Sequence, residues 1–201
     1  MIRVLLAEDQ VMVRNAIARL LDLEPDLEVV GQVGNGTEVV TAAVESRADV
    51  ALLDIEMPGR SGLDAAAELA RARPECRTVI VTIYGRPGYL QRAMEAGASG
   101  FVGKDRPVDE LAETIRRVHA GETVIDPELA ASAMRARPNP LTERERGVLL
   151  AAAQGAPVAA ISAKVHLSEK TVRNYLSSAI QKTGTANRYE AARAAMANGW
   201  L

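Results

Sequence analysis

Five short apolar runs, each followed by a turn and a longer segment of helical periodicity, fill the chain from residue 3 to about residue 120. Strands that alternate with helices favour a parallel sheet covered by helices on both faces. Right-handed crossovers between parallel strands then leave only a few doubly wound topologies. The predicted strands are Val4–Ala7, Leu27–Val33, Val50–Asp54, Val79–Thr82 and Gly100–Val102.

The pattern changes after residue 120. Asp126-Pro127 begins a short Ala-rich helix, a proline-containing stretch at 135–140 ends it, and only helical periods follow Leu141. The sequence therefore predicts an α/β domain over residues 1–120, a linker with a short helix over residues 121–140, and a small all-α domain over residues 141–201.

Composition restricts the class of protein. Apolar residues make up 48% of the chain, which is enough for a core, and no run approaches the roughly 18 apolar residues of a membrane span. The N-terminus lacks the pattern of a secretory signal, and the single Cys76 agrees with a reducing compartment. We expect a cytoplasmic protein without a membrane partner.

Charge is divided between the two predicted domains. Residues 141–201 carry a net charge of +4, whereas residues 1–140 carry −6. A basic module joined to an acidic one indicates a polyanionic partner for the C-terminal domain.

Three carboxylates follow two of the predicted strands. Glu8 and Asp9 come directly after the first, and Asp54 ends the third. If these strands are neighbours, the acids meet at one edge of the sheet, where their mutual repulsion favours a bound cation. Oxygen ligands suit Mg²⁺, which often shares its coordination with a phosphate. The pattern predicts phosphoryl transfer onto a carboxylate.

Further polar residues join this edge, because ligands bind at the carboxyl ends of strands in a doubly wound sheet. Thr82 ends the fourth strand and Lys104 follows the fifth. Together with Glu8-Asp9 and Asp54, in the order and spacing found here, they resemble the receiver domain of bacterial response regulators over residues 1 to about 120. That resemblance implies a CheY-like doubly wound five-stranded parallel sheet with strand order 2-1-3-4-5.

The resemblance also implies the roles of the acidic residues. Asp54 would be the phosphoacceptor, taking its phosphoryl group from a phosphohistidine on a sensor histidine kinase. Glu8 and Asp9 would hold Mg²⁺, together with the Asp54 carboxylate and the Glu56 backbone carbonyl.

The remaining implied roles concern the change of state. Lys104 would pair with the phosphoryl oxygens, and the Thr82 hydroxyl would move to hydrogen-bond them. Phe101, the only phenylalanine, matches the aromatic switch position of the family.

The chain departs from the family at Ile83-Tyr84, where the first residue is often small, and at Gly103. Bulk at Ile83 is expected to slow attack by water and lengthen the phosphorylated lifetime.

A helix-turn-helix unit is predicted in the C-terminal domain. A helix at about 158–165 and a turn at 166–168 precede a segment that begins with Ser168, a suitable N-cap. At 100° per residue, apolar side chains share one arc of this segment. The opposite arc lacks acids and fits a DNA major groove; it holds Lys170, Thr171, Arg173, Asn174, Ser177, Ser178 and Gln181.

Residues 138–201 resemble the LuxR-type output domain of the NarL/FixJ regulators. The resemblance implies that Lys182 contacts the DNA backbone and that the last helix supplies a dimer contact. It also implies contacts to DNA bases or phosphates by Lys170, Thr171, Arg173 and Asn174. The stretch 86–93 and the triplet 173–175 are similar to those of the DesR-type regulators within this family.

We interpret the chain as a response regulator that acts as a transcription factor rather than as an enzyme. Phosphorylation of Asp54 is expected to promote homodimerisation and binding to double-stranded promoter DNA. One alternative is an aspartyl-phosphate phosphatase. It would need a positioned general acid or base, and no histidine or second aspartate lies two residues past Asp54. The other is a phospho-regulated adaptor whose C-terminal helices bind protein.

Overall fold

The computed structural model describes residues 1–83, 87–134, 139–153 and 155–201. Tyr84, Arg86 and the part of the predicted linker at 135–138 lie outside these ranges. The chain divides into two compact units, one formed by residues 1–85 and 90–133 and the other by residues 86–89 and 134–201. Within the described ranges, no helix is long and apolar enough to span a membrane.

The first unit is built on a parallel sheet with strand order β2-β1-β3-β4-β5-β6. The predicted order 2-1-3-4-5 is confirmed, and a sixth strand of two residues extends the sheet beyond β5. Two residues are too few to give a periodic signal, which is why the sequence did not predict it. The strands are β1 Ile2–Ala7, β2 Leu27–Val33, β3 Val50–Asp54, β4 Arg77–Thr82, β5 Gly100–Gly103 and β6 Val124–Ile125.

Six helices accompany the sheet among the described residues. One face of the central strands packs on α1 and α5, where Leu21 and Ile115 are fully buried. Truncating a side chain such as Ile115 to alanine would cost about 2–5 kcal/mol. The helices are α1 Val11–Leu21, α2 Val39–Glu45, α3 Gly62–Ala72, α4 Pro87–Glu95, α5 Val108–His119 and α6 Pro127–Met134.

The second unit is helical, as predicted. Its third helix is central and packs against the other three around a core that includes Leu149, Ile161, Val172 and Trp200. The helices are α7 Glu143–Ala152, α8 Val158–Val165, α9 Glu169–Thr183 and α10 Arg188–Ala197. The C-cap of α8, His166, has a left-handed backbone (φ 54°), so the chain turns sharply into α9.

Candidate functional site

Strand ends bring the predicted receiver residues together. In the β1–β3 register Ala7 lies opposite Leu53, so the residues that follow β1 face Asp54. On the other side, Thr82 of β4 lies opposite Gly103 of β5, and the Lys104 amide donates to the Thr82 carbonyl at 2.8 Å. Four strands thus deliver their side chains to one rim of the sheet.

Glu8, Asp9 and Asp54 form a cluster in which one carboxylate oxygen of each residue lies within 4.8 Å of those of the other two. Glu8 and Asp54 are buried, at 1% and 6% exposure, whereas Asp9 is exposed. A set of carboxylate oxygens in this arrangement fits a hard divalent cation with one open side toward solvent.

Lys104 reaches into this cluster. Its ammonium lies 2.6 Å from Glu8 Oε2 and 3.0 Å from Asp54 Oδ1, and its side chain is 8% exposed. Burial works against the charged lysine, but the hydrogen bonds to Glu8 and Asp54 outweigh it and raise its pKa. One ammonium against three carboxylates leaves an excess of negative charge that a cation would offset.

Asp54 is held in place by its neighbours. Burial raises the pKa of Asp54, and the hydrogen bond from Lys104 offsets part of that effect. The Ile55 amide donates to Asp54 Oδ1 at 2.9 Å, which fixes the orientation of the carboxylate. Asp54 also contributes to the lining of a neighbouring opening.

That opening is a cavity of about 250 Å³ at the same rim. Thr82 is 4% exposed there, Ile83 is 57% exposed, and Glu56 lies in the loop after β3. A cavity of this size, lined by carboxylates and by Lys104, has room for a small charged group. Its lining residues are Asp9, Gln10, Asp54, Glu56, Thr82, Ile83 and Lys104.

The backbone after Asp54 is closely packed. Ser61 caps α3 by accepting a hydrogen bond from the Asp64 amide, and the Gly62 amide donates to the Ile55 carbonyl at 3.0 Å. A β-carbon at Gly62 would lie 1.9 Å from the Asp54 carbonyl oxygen. Only glycine permits this approach, a requirement that the sequence pattern did not indicate.

Phe101 lies in β5 with its side chain 1% exposed. Its backbone is opposite Ile80 in β4 and Ile125 in β6. The predicted switch residue is therefore part of the core in this structure.

The recognition helix α9 begins as expected, because Ser168 Oγ accepts a hydrogen bond from the Thr171 amide at 3.1 Å. Lys170 and Asn174 are exposed, and Thr171 is half-buried. Arg173 is exposed but donates to Glu169 Oε2 at 2.6 Å. The Glu169 carboxylate thus lies at the N-terminal border of the acid-free arc. It already binds Arg173, one of the residues predicted to contact DNA.

Lys182 also has a partner within the unit. Its ammonium lies 2.7 Å from Glu145 Oε2, and Ser178 Oγ donates to Glu145 Oε1 at 2.6 Å. Burial alone would raise the pKa of Glu145, but these hydrogen bonds and those from Thr142 lower it to about 2. The sequence pattern did not predict that Glu145 fixes the position of α9. It does contain a signal for this residue, because Thr142-x-x-Glu145 is the pattern of a capping box.

Comparison with known families gives two matches that together span most of the chain. The response regulator receiver domain matches residues 4–116, and the luxR family of bacterial regulatory proteins matches residues 139–195. These are the two units that contain the rim of the sheet and the helix-turn-helix.

Relatives match over the full length. The uncharacterized transcriptional regulatory protein YvfU of Bacillus subtilis (strain 168) is 46% identical, and the transcriptional regulatory protein DesR of the same strain is 42% identical; all of each chain is covered. The predicted similarity to DesR is thus confirmed and is shared with YvfU.

Solved structures agree with these matches. The response regulator ChrA of a heme-sensing two-component system matches with a TM-score of 0.60 and 31% identity, over 100% of this chain and 98% of that one. The RcsB–DNA complex matches with a TM-score of 0.67 over 98% of both chains, and at 22% identity this likeness shows the fold alone. The chain belongs to the LuxR family of bacterial response regulators, transcriptional regulators in which a receiver domain precedes a DNA-binding helix-turn-helix domain.

Proposed function

We propose that phosphorylation of Asp54 by a sensor histidine kinase switches this regulator to a dimeric, promoter-binding state. The observation that carries the proposal is the Lys104 ammonium, 3.0 Å from Asp54 Oδ1, because both residues line the 250 Å³ cavity. A buried carboxylate beside a fixed cation is suited to accept a group that brings further negative charge.

The covalent step is a transfer from nitrogen to oxygen. A carboxylate oxygen of Asp54 attacks the phosphorus of a phosphohistidine on the kinase, a P–O bond forms, and the P–N bond breaks. The imidazole leaves with the electron pair of that bond. Lys104 lies close enough to donate to the oxygens of the transferring group.

Glu8, Asp9 and Asp54, with the backbone carbonyl of Glu56, are the residues that would hold Mg²⁺. The donor set supports this assignment because it consists of oxygens, three of them on carboxylates that cluster within 4.8 Å. A bound Mg²⁺ supplies neutralisation of the charge on the transferring phosphoryl group.

The change of state would involve Thr82 and Phe101. The Thr82 hydroxyl, at the end of β4, would hydrogen-bond a phosphoryl oxygen on Asp54, and Phe101 would repack in β5. Because cores are bistable rather than continuously deformable, a small shift at the rim can select a second arrangement of the β4–β5 region.

For DNA, α9 would enter the major groove with Lys170, Thr171, Arg173 and Asn174 toward the bases and phosphates. The exposure of Lys170 and Asn174 and the cap at Ser168 support this role. Lys182 would contribute to a phosphate contact from its place beside Glu145. Two chains that bind two half-sites together multiply modest individual affinities through effective concentration.

Labelling tests the receiver proposal. The full chain is incubated with acetyl phosphate and Mg²⁺, and its intact mass is followed. We expect one phosphoryl group on the parent chain and on the matched control Asp105→Asn, and none on Asp54→Ala. Label on Asp54→Ala would refute the assignment of the acceptor, and continuous release of phosphate without a stable adduct would favour the phosphatase alternative.

Association and DNA binding are tested on the labelled chain. Sedimentation velocity is expected to show a dimer only when Asp54 carries the group. Binding to genomic promoter fragments should weaken steeply with salt, because neutralised phosphates release counterions. Association without DNA binding at any salt concentration would favour the adaptor alternative.

A further inference from the structure

The segment after α5 is hydrogen-bonded along β5 of the receiver sheet. The Val124 amide donates to the Ser99 carbonyl and the Asp126 amide to the Phe101 carbonyl, both at 2.9 Å. Strand β6 is only two residues long and half-buried, so these bonds by themselves hold it weakly.

An ion pair strengthens the attachment. Arg106 donates to both oxygens of Asp126, from Nε to Oδ2 at 2.6 Å and from Nη2 to Oδ1 at 2.9 Å. The Asp126 side chain is 5% exposed and that of Arg106 is 30% exposed. A bidentate pair between a guanidinium and a largely buried carboxylate is among the stronger and more directional side-chain contacts.

The same carboxylate begins α6. Asp126 Oδ1 accepts hydrogen bonds from the Glu128 amide at 2.8 Å and the Leu129 amide at 3.4 Å, in the manner of an N-cap. Burial alone would raise the pKa of Asp126, but these contacts with Arg106 and the amides lower it. Asp126 therefore joins the start of α6 to Arg106.

Arg106 belongs to the loop that carries the phosphoryl-site lysine. Lys104 is two residues earlier, with its amide bonded to Thr82 and its ammonium on Glu8 and Asp54. The Arg106 amide in turn donates to the Gly103 carbonyl at 3.4 Å. A continuous series of polar contacts thus runs from Asp54 through Lys104 and its loop to Asp126.

We propose that the Arg106–Asp126 pair is a strap that transmits the state of Asp54 to α6, the helix that leads along the chain to the LuxR-type domain. The inference rests on the proposed phosphorylation of Asp54. New phosphoryl oxygens redistribute the contacts of Lys104, and the loop moves with it. Arg106 must then either carry Asp126 along or lose two charge-assisted hydrogen bonds, so the two states of the site differ in how α6 is held.

Hydrogen exchange measured by mass spectrometry on the full chain tests the strap. Beryllofluoride with Mg²⁺ serves as the probe, because it mimics a phosphoryl group on a carboxylate. In the parent chain we expect the probe to change exchange both in peptides that contain Asp54 and Lys104 and in the peptide 124–134. The change in the latter should be about tenfold, in keeping with a charge-assisted pair.

Two variants separate the strap from mere folding. Asp126→Asn keeps a good N-cap for α6 but loses the ion pair with Arg106, which retains a contact with Glu128 Oε1 at 3.5 Å. Arg106→Ala removes both contacts. In both variants, the peptides that contain Asp54 and Lys104 should still respond to the probe. The response of 124–134 should weaken in Asp126→Asn and disappear in Arg106→Ala. Arg117→Ala is the matched control, because it deletes an exposed pair with Glu122 at the end of α5 and should leave both responses intact.

The outcomes distinguish the strap from the proposed function. If the site peptides of the parent respond and 124–134 does not, the strap is refuted while phosphorylation of Asp54 stands. If 124–134 responds in Asp126→Asn and Arg106→Ala as strongly as in the parent, the coupling takes another route and the strap is again refuted. If neither region of the parent responds, the proposed function fails and the strap with it.

Discussion

Lys182 Nζ lies 2.7 Å from Glu145 Oε2, although 37 residues separate them in the chain. The pair joins the end of the recognition helix α9 to the first turn of α7. The carboxylate also accepts hydrogen bonds from Ser178 and Thr142, so a single buried side chain fixes the position of the helix proposed to contact DNA.

The free energy of unfolding of the helical unit is expected to decrease at acidic pH because Glu145 becomes protonated. Its pKa is lowered from 4.5 to about 2 in the folded state. The stabilisation is therefore complete above about pH 4.5 and is lost as pH falls toward about 2. Fluorescence of Trp200, the only tryptophan and part of this core, should follow the unfolding of this unit.

Glu145→Gln should lower the free energy of unfolding at neutral pH by about 1–3 kcal/mol and flatten its pH dependence below pH 4.5. Glu143→Gln is the control, since its side chain is 92% exposed. An equally steep acid transition in Glu145→Gln would contradict this prediction.

Ile83→Ala is expected to shorten the lifetime of phosphorylated Asp54. Ile83 lines the cavity and is 57% exposed, and we expect its side chain to obstruct the approach of water from the solvent side. Removing it should speed hydrolysis by about two- to tenfold. Decay of the labelled chain measures this; Val44→Ala, which truncates an exposed residue on α2, should leave the half-life unchanged. An unchanged half-life in Ile83→Ala would remove the proposed role of its bulk.

Gly62→Ala should impair phosphorylation without touching a reacting group. The added β-carbon would meet the Asp54 carbonyl oxygen at 1.9 Å, so the backbone that carries the acceptor must shift. We expect a loss of about 1–3 kcal/mol in stability together with slower labelling by acetyl phosphate.

Gly147→Ala is the corresponding control, because a β-carbon added there would have no atom within 4 Å and the backbone is helical. That change should stabilise the chain by about 0.4–1 kcal/mol and leave labelling unaffected. Normal labelling in Gly62→Ala would show that the close approach is dispensable for the acceptor.

Glu169→Gln is expected to strengthen DNA binding. The Glu169 carboxylate holds Arg173 at 2.6 Å and brings a negative charge to the edge of the proposed DNA face. Because an exposed ion pair is worth roughly 0.2–1 kcal/mol, its removal should tighten DNA binding by a factor of about 1.4 to 5 at low salt. Titration of a labelled promoter fragment measures the change, with Glu143→Gln as the control. Weaker binding by Glu169→Gln would mean that the pair presents Arg173 to DNA instead of withholding it.

Much of the receiver site follows from local pattern and topology. Apolar runs between turns mark the strands, and parallel pairing requires that residues at their carboxyl ends converge. Asp54 and Lys104 could therefore be assigned to one rim although 50 positions apart. The same reasoning locates the recognition helix, because its two arcs depend only on a period of 3.6 residues.

Side-chain partners across elements could not be predicted in this way. The pairing of Lys182 with Glu145 depends on how α9 packs against α7, and that of Arg106 with Asp126 depends on a strand of two residues. Neither the packing nor so short a strand has a periodic signal in sequence. The approach of Gly62 to Asp54 is likewise a property of one loop conformation rather than of a motif.

Strand β6 also bears on the solubility of the receiver. Without it, β5 would present a row of unpaired amides and carbonyls to other chains, and its four residues are all buried. Exposed outer strands of this kind template intermolecular sheets and aggregation. Strand β6, which covers β5, has only two residues and is therefore itself too short to pair well with another chain. A receiver fragment that stops at residue 120 should therefore self-associate through β5, whereas one that continues to Ala133 should stay monomeric.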